Sequence, residues 1–161
     1  MFNLAVDMEK TEKYSLLLEQ IRALLEGEED WVVRMANAAA AIHTAFGFWW
    51  TGFYRVADDP GVKVRGRDLI LGPFQGPVAC MHIPFGKGVC GTAWREGKTI
   101  IVPDVELFPG HIACSSASRS EIVVPLIRDG VVTAVLDIDS DRLDTFDEID
   151  AIWLEKIAKI V

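Results

Sequence analysis

Apolar residues recur at helical spacing in three segments of the chain. They predict helices over residues 11–26 and 31–46, and a last helix that begins at Thr145. Asp30 is a suitable N-cap for the second helix, and Glu148 follows Thr145 at the spacing of a capping box. Each helix has one apolar side, so each is expected to pack on a core.

Shorter runs of aromatic and β-branched residues predict strands between these helices. The predicted strands cover residues 48–56, 68–71, 78–83, 99–102, 121–128 and 131–139, with a polar turn at 57–67 and a short helix at 89–96. Asp129-Gly130 joins the last two strands and is a strong hairpin signal. This order of elements predicts a single α+β domain over residues 1–161, with a central antiparallel sheet and helices packed on one face.

Length and charge narrow the possible functions. The chain has 161 residues, the length of one ordinary domain, and its net charge of −8 argues against nucleic acid or an anionic membrane surface as partner. Residues 35–54 carry no formal charge, but their polar residues and glycines indicate a helix end and a strand rather than a membrane span. The N-terminus lacks the apolar stretch of a signal peptide, so we expect a cytoplasmic protein in a reducing compartment.

Three cysteines are the first candidates for chemistry. An odd number excludes a complete set of intramolecular disulfides, and no C-x-x-C motif indicates a thioredoxin-type dithiol. Cys114 lies in a loop of small polar residues and is either a reactive thiol or a small residue that fills a turn. Cys80 and Cys90, taken singly, are more typical of core packing. A zinc site that adds His82 or His111 to the cysteines lacks the usual ligand spacing, so we expect no metal.

Acidic residues mark the end of the last predicted strand. Alternation places Asp137 and Asp139 on one face of this strand. The two carboxylates are either exposed to solvent at the end of the strand, or they belong to a pocket, where they bind an ammonium group or one of them donates a proton as a carboxylic acid. A simple two-residue turn would pair Glu121 with Ile138, on the opposite face. A one-residue bulge at Pro125, which cannot donate to a ladder, would bring Glu121 to the face of Asp137, and we predict such a bulge.

An aromatic cluster of Trp49, Trp50, Phe53 and Tyr54 occupies the first predicted strand, and it suits either a core or a small-ligand pocket. The chain has no P-loop, G-x-G-x-x-G, H-E-x-x-H or G-x-S-x-G motif. The aperiodic segment 103–120 is therefore the candidate functional loop.

Six short motifs, together with the three cysteines, resemble those of the free methionine-(R)-sulfoxide reductases. They are W-T-G-F-Y at 50–54, L-G-P-F-Q-G at 71–76, G-V-C-G-T-A at 88–93, G-H-I-A-C at 110–114, S-E-I-V at 120–123 and V-L-D-I-D-S at 135–140. The resemblance runs from about Tyr14 to the C-terminus and implies the GAF fold of that family. Ser115 departs from the Asp that the family often has there, and we expect this change to tune the thiol without abolishing activity.

The resemblance implies an enzyme that reduces free L-methionine (R)-S-oxide. Cys114 would attack the sulfoxide sulfur as a thiolate and become a sulfenic acid, and Cys80 would resolve it as a disulfide, with Cys90 as the second candidate. Thioredoxin, supplied with electrons from NADPH, would restore the thiols, and no cofactor would be bound.

The family also suggests how the substrate is held. Glu121, Asp137 and Asp139 would bind the ammonium group or donate the proton, and Trp50 and Tyr54 would enclose the thioether methyl group. A homodimer is usual in the family. The competing hypothesis is a GAF domain that senses a small ligand without catalysis.

Overall fold

A computed structural model describes residues 8–57, 67–112 and 116–161 of the chain. The predicted polar turn at 57–67 lies almost entirely outside the described residues, and so does Cys114. None of the helices in the described part is long and apolar enough to cross a membrane. The uncharged stretch 35–54 instead forms most of one helix and the start of a strand.

In the part of the chain that the structure describes, six strands form one antiparallel sheet. They are β1 (Trp50–Val56), β2 (Asp68–Gln75), β3 (His82–Pro84), β4 (Ile100–Val102), β5 (Ser120–Arg128) and β6 (Val131–Ser140). Their order is β3-β2-β1-β6-β5-β4, so β1 and β6 lie at the centre. Because β3 and β4 lie at opposite edges, the helix between them crosses a face of the sheet.

Four α-helices pack on the sheet, namely α1 (Lys10–Leu24), α2 (Trp31–Phe46), α3 (Gly88–Glu96) and α4 (Glu148–Ala158). α1, α2 and α4 share one core with Phe53, Leu136 and Ile138 of the central strands. α3 packs on the other face, in a second core with Val123 and Val135. The α+β class and the antiparallel sheet are confirmed, whereas the prediction that the helices share one face is wrong for α3.

The ends of the helices follow local capping rules. Asp30 caps α2 as predicted and accepts hydrogen bonds from two backbone N–H groups. The N-cap of α4 is Asp147, not the predicted Thr145, and it forms a capping box with Asp150. The Thr145 hydroxyl instead donates a hydrogen bond to the Ser140 hydroxyl oxygen (2.7 Å).

β3 replaces the predicted strand at 78–83 but begins only at His82, because residues 76–81 form a loop after β2. Gly76 has a φ of 128°, a conformation that favours glycine, and Pro77 has no N–H to donate to a ladder. This segment, called loop 76–81 below, carries Cys80.

The β5–β6 hairpin contains a one-residue bulge, but not at Pro125. The ladder is regular through Pro125, and Thr133 of β6 is the extra residue, close to the turn. Pro125 is tolerated because β4 pairs only with the first part of β5. The bulge has the predicted consequence, since Glu121 pairs with Asp139 and not with Ile138. The placement of Glu121 is therefore confirmed, and the predicted position of the bulge is wrong.

A buried carboxylate joins α1 to α4 on the helical side of the sheet. Asp150 is fully buried and accepts a hydrogen bond from the Tyr14 hydroxyl (2.7 Å). Lys10 forms an ion pair with the same carboxylate. This contact stabilises the three-helix layer and lies on the opposite face from α3.

Candidate active site

A pocket lies on the α3 face of the sheet. Its walls come from β1, β5 and β6, from α3, from loop 76–81, and from His111, Ile112 and Ser118 of the segment between β4 and β5. The structure brings together six of the predicted site residues in its lining, namely Trp50, Tyr54, Cys90, Glu121, Asp137 and Asp139. Cys80 lies in the adjoining loop, and Cys114 lies outside the described residues.

Trp50 and Tyr54 form an aromatic wall. They lie on the same face of β1 because they are four positions apart, an even spacing, and side chains alternate between the faces of a strand. Trp50 stacks on Tyr54 (ring centroids 5.9 Å apart) and on Phe74 of β2 (5.3 Å). Gly52 makes room for the indole, because a Cβ there would lie 2.5 Å from the Trp50 ring. The result is a rigid apolar surface for the apolar part of a small ligand.

Glu121, Asp137 and Asp139 form a carboxylate cluster in the pocket. Glu121 and Asp137 are each 6% exposed, and Asp139 is half-buried. Among the described residues, the one basic side chain close to the cluster is His111, whose Nε2 lies 3.8 Å from Glu121 Oε2. No lysine or arginine of the described ranges neutralises these three groups.

Burial raises the pKa of all three carboxyl groups, and repulsion by neighbouring carboxylates adds to the rise for Glu121 and Asp137. For Glu121 the largest cause is burial, followed by the charges of Asp137 and Asp139. For Asp137 the causes are burial and then the charge of Asp139. Burial raises the pKa of Asp139 to about 6, although a hydrogen bond from Ser118 opposes the rise. The cluster therefore retains a proton at a pH where ordinary carboxyl groups are ionised.

Cys90 lies on α3 next to the carboxylate cluster. It is a free thiol, 3% exposed, and it hydrogen-bonds to Asp137. Its Sγ and one carboxylate oxygen each of Glu121 and Asp137 lie within 4.8 Å of one another. Burial and then the neighbouring negative charges raise the pKa of this thiol. These three side chains are types that can ligate a metal ion, but only with the thiol deprotonated, which the raised pKa opposes in the absence of an ion.

Loop 76–81 closes one side of the pocket. Cys80 is disulfide-bonded, which removes it from any three-cysteine zinc set. The side chains of the aromatic wall hold the loop, since Trp50 Nε1 donates to the carbonyl of Pro77 (3.1 Å) and the Tyr54 hydroxyl donates to the carbonyl of Cys80 (3.0 Å). The same two residues thus line the pocket and contact the loop that carries a cysteine.

Two polar residues of the pocket escaped the sequence analysis. The Ser118 hydroxyl donates to Asp139 Oδ1 (2.6 Å), and His111, considered there only as a zinc ligand, contacts Glu121. Burial lowers the pKa of His111, which keeps its imidazole neutral at neutral pH. Both residues belong to the aperiodic segment 103–120, and their closeness in sequence to Cys114 was the one feature of the sequence that could have placed them in the site.

Two buried polar atoms in the pocket have no hydrogen-bond partner among the described residues. They are Asp137 Oδ1, an acceptor, and Trp49 Nε1, a donor. An unpaired buried group of this kind costs about 1–3 kcal/mol. A small ligand that carries both a donor and an acceptor would satisfy both atoms.

The sequence and the fold have counterparts among known proteins. The family model of the GAF domain matches residues 27–161. GAF domain-containing protein A of Dictyostelium discoideum is 53% identical over 152 residues, which cover 94% of this chain and 92% of that protein. The free methionine-R-sulfoxide reductase of Saccharomyces cerevisiae is 43% identical over 165 residues, covering 99% and 89%. The X-ray structure of free methionine-R-sulfoxide reductase from Neisseria meningitidis in complex with its substrate is 50% identical with a TM-score of 0.89, covering 99% and 93%.

The antiparallel sheet, with a ligand-sized pocket between its strands and a short helix, is the architecture of a GAF domain. The chain belongs to the GAF family and, within it, to the free methionine-(R)-sulfoxide reductases. The family resemblance and the GAF fold that the six motifs predicted are both confirmed.

Proposed function

We propose that this protein reduces free L-methionine (R)-S-oxide to methionine. The observation that carries the proposal is a buried, proton-retaining carboxylate cluster in the same pocket as an apolar aromatic wall. The substrate has matching parts, because it combines an ammonium group, a thioether methyl group and an oxygen that must gain a proton. The yeast and Neisseria relatives, both named as reductases of this kind, support the proposal.

The pocket would hold the substrate by both of its ends. The ammonium group binds to the carboxylate cluster, where Asp137 Oδ1 has an unmade hydrogen bond, and its charge relieves the repulsion among the three carboxyl groups. The methyl group lies against Trp50 and Tyr54. Methionine sulfoxide inside a polypeptide has no ammonium group, so it would leave the buried carboxylates unpaired, and the site selects the free amino acid.

Cys114 is the proposed nucleophile. Its thiolate attacks the sulfoxide sulfur while a carboxylic acid of the cluster gives its proton to the sulfoxide oxygen. We assign the proton to Glu121, because burial and two neighbouring aspartates raise the pKa of this carboxyl group. The oxygen passes to Cys114, which becomes a sulfenic acid, and methionine leaves.

Cys80 is the proposed resolving cysteine. Its thiol attacks the sulfur of the Cys114 sulfenic acid, forms the disulfide and releases water. Two observations favour Cys80 over Cys90: Cys80 is disulfide-bonded, whereas Cys90 is a buried free thiol with a raised pKa and a hydrogen bond to Asp137. Thioredoxin, with NADPH as the source of electrons, then reduces the disulfide by exchange.

NADPH oxidation coupled through thioredoxin reductase and thioredoxin tests the proposal. The R and S epimers of free methionine sulfoxide are supplied separately to the wild type, to Cys114→Ser and to Ser116→Ala, an exposed neighbouring control. We expect turnover of the R epimer alone, lost in Cys114→Ser and kept in Ser116→Ala. The N-acetylated R epimer should be a poor substrate. Turnover of neither epimer by folded, reduced wild type would contradict the proposal and favour a ligand-binding GAF domain.

A further inference from the structure

The Tyr54 hydroxyl contacts the backbone of Cys80, and we propose that Tyr54 positions this cysteine for disulfide formation in addition to lining the pocket. The inference rests on the proposed function in one respect, the assignment of Cys80 as the resolving cysteine. Tyr54 is in this sense a positioning residue, since its hydroxyl acts through the backbone of another residue.

Loop 76–81 is only partly packed on the rest of the protein. Its side chains Val78 and Met81 are 88% and 71% exposed, so the burial of these two side chains contributes little to its position. The carbonyl of Met81 accepts a hydrogen bond from the N–H of Leu71 (3.0 Å), which ties the last residue of the loop to β2. Ala79 and Cys80 pack against the second core, and the hydrogen bonds from Trp50 and Tyr54 hold the carbonyl groups of Pro77 and Cys80.

Tyr54 is well suited to hold the loop. It lies on the central strand β1, is 1% exposed, and stacks against Trp50, so its ring has little freedom. Its hydroxyl donates to the carbonyl oxygen of Cys80 itself, at 3.0 Å. Burial, followed by the charge of Asp137, raises the pKa of Tyr54, which keeps the phenol protonated and able to donate. A movement of this carbonyl would move the Cys80 side chain with it.

The position of Cys80 matters for one chemical step. In that step the Cys80 sulfur forms a bond to the Cys114 sulfur, the S–O bond of the sulfenic acid breaks, and hydroxide leaves with the thiol proton as water. The rate depends on how often the two sulfur atoms meet in the right geometry. The hydrogen bond from Tyr54 is present in the structure in which Cys80 is disulfide-bonded, so it contributes to the stability of the arrangement in which the disulfide forms.

Tyr54→Phe tests the inference, because it keeps the ring and removes only the hydroxyl. The reduced protein is oxidised with one equivalent of hydrogen peroxide in the presence of dimedone, which traps sulfenic acids, and the products are quantified by mass spectrometry. The loss of one ordinary hydrogen bond should slow disulfide formation about fivefold, so the Cys114–dimedone adduct accumulates. Cys80→Ser gives the amount of dimedone adduct that is expected when no disulfide can form. Met81→Ala, in the same loop and outside the pocket lining, should behave like the wild type.

Two results would overturn the inference. The first is a wild-type ratio of disulfide to adduct in Tyr54→Phe. The second comes from an experiment with methionine (R)-S-oxide as the oxidant in place of peroxide. If Tyr54→Phe slows the release of methionine in the first turnover as much as it slows disulfide formation, the defect lies in the pocket in general and not in the position of Cys80. The proposed function fails separately, if the wild type forms the Cys80 disulfide with peroxide but releases no methionine from the sulfoxide; that result leaves the positioning role standing.

Discussion

Glu121 and Asp139 are direct cross-strand partners in the β5–β6 ladder, and Asp137 lies two residues from Asp139 on the same face. Like charges in such positions repel and normally weaken a sheet. Here burial raises the pKa of all three groups, and the repulsion adds to the rise for Glu121 and Asp137. The register of two strands therefore sets the acid strength of the pocket.

Glu121→Gln keeps the size of the side chain and removes its transferable proton. If Glu121 is the acid, kcat for free methionine (R)-S-oxide should fall by about 10²–10⁴-fold, with a smaller change in KM. Asp139→Asn is the matched comparison, and we expect it to raise KM more than it lowers kcat. Steady-state kinetics measure both constants, and a larger loss of kcat in Asp139→Asn would assign the proton to Asp139.

Asp139 should make the stability of the ligand-free protein depend on pH. Its pKa is raised from 3.8 to about 6 in the folded state, so its contribution to stability is complete at low pH and is lost as the pH rises through about 6. Between about pH 4.5 and about pH 7.5 this loss is on the order of 2 kcal/mol. Urea unfolding of the wild type and of Asp139→Asn at both pH values measures it. Equal pH dependence in the two proteins would contradict the raised pKa.

Gly52→Ala should disturb the aromatic wall. The new Cβ would lie 2.4 Å from Phe74 Cβ and 2.5 Å from the Trp50 ring, so the indole must move. We expect a loss of about 1–3 kcal/mol in stability and a severalfold rise in KM.

Gly130→Ala separates these two effects. Gly130 has a φ of 77° and open space around it, in the β5–β6 turn. Its replacement costs about 1–2 kcal/mol of backbone strain without touching the pocket, so KM should not change. An equal rise in KM in both variants would show that instability, not the indole, controls substrate binding.

Asp150→Ala should destabilise the protein without changing its chemistry. The substitution removes the acceptor of the Tyr14 hydroxyl and the buried partner of Lys10, on the face opposite the pocket. Because Lys10 retains Asp147 as a partner, we expect a loss of about 2–3 kcal/mol in the free energy of unfolding. Glu19→Ala, which removes an exposed ion pair with Arg22, should cost less than about 0.5 kcal/mol. Urea midpoints distinguish the two variants, and KM should be unaffected in both.

Cys80→Ser and Cys90→Ala distinguish the two candidates for the resolving cysteine. Cys80→Ser should release a single equivalent of methionine and then stop in the thioredoxin-coupled assay, because no disulfide forms. Cys90→Ala should continue through many turnovers, since its thiol is buried and has a raised pKa. The reverse pattern would make Cys90 the resolving cysteine.

The helices were predictable because their signals are local. Asp30 and the apolar spacing of α2 lie within one short segment, and the structure confirms both. The error at Thr145 has the same origin, because two overlapping capping patterns occur there and the one nearer the apolar run, at Asp147, forms. The face chosen by α3 was not predictable, since this short helix buries residues on most of its circumference.

The site was predictable where strand alternation fixes it and not where distant segments meet. Alternation placed Asp137 and Asp139 on one face, but the face of Glu121 depends on whether a single extra residue is inserted in the hairpin. Pro125 was the visible candidate for that insertion, whereas the structure places it at Thr133. The contact between Ser118 and Asp139 has no periodic signal, because an irregular segment brings Ser118 to the strand.

The bulge at Thr133 has a genetic consequence. On β5, Glu121 faces the pocket and Ile122 faces the three-helix core. A single-codon deletion that removed Thr133 would leave a regular hairpin in which Glu121 still lies opposite Asp139, whereas a ladder that paired Thr133 regularly would place Ile138 there. The codon for Thr133 is therefore one that this hairpin can lose without moving the acid out of the pocket.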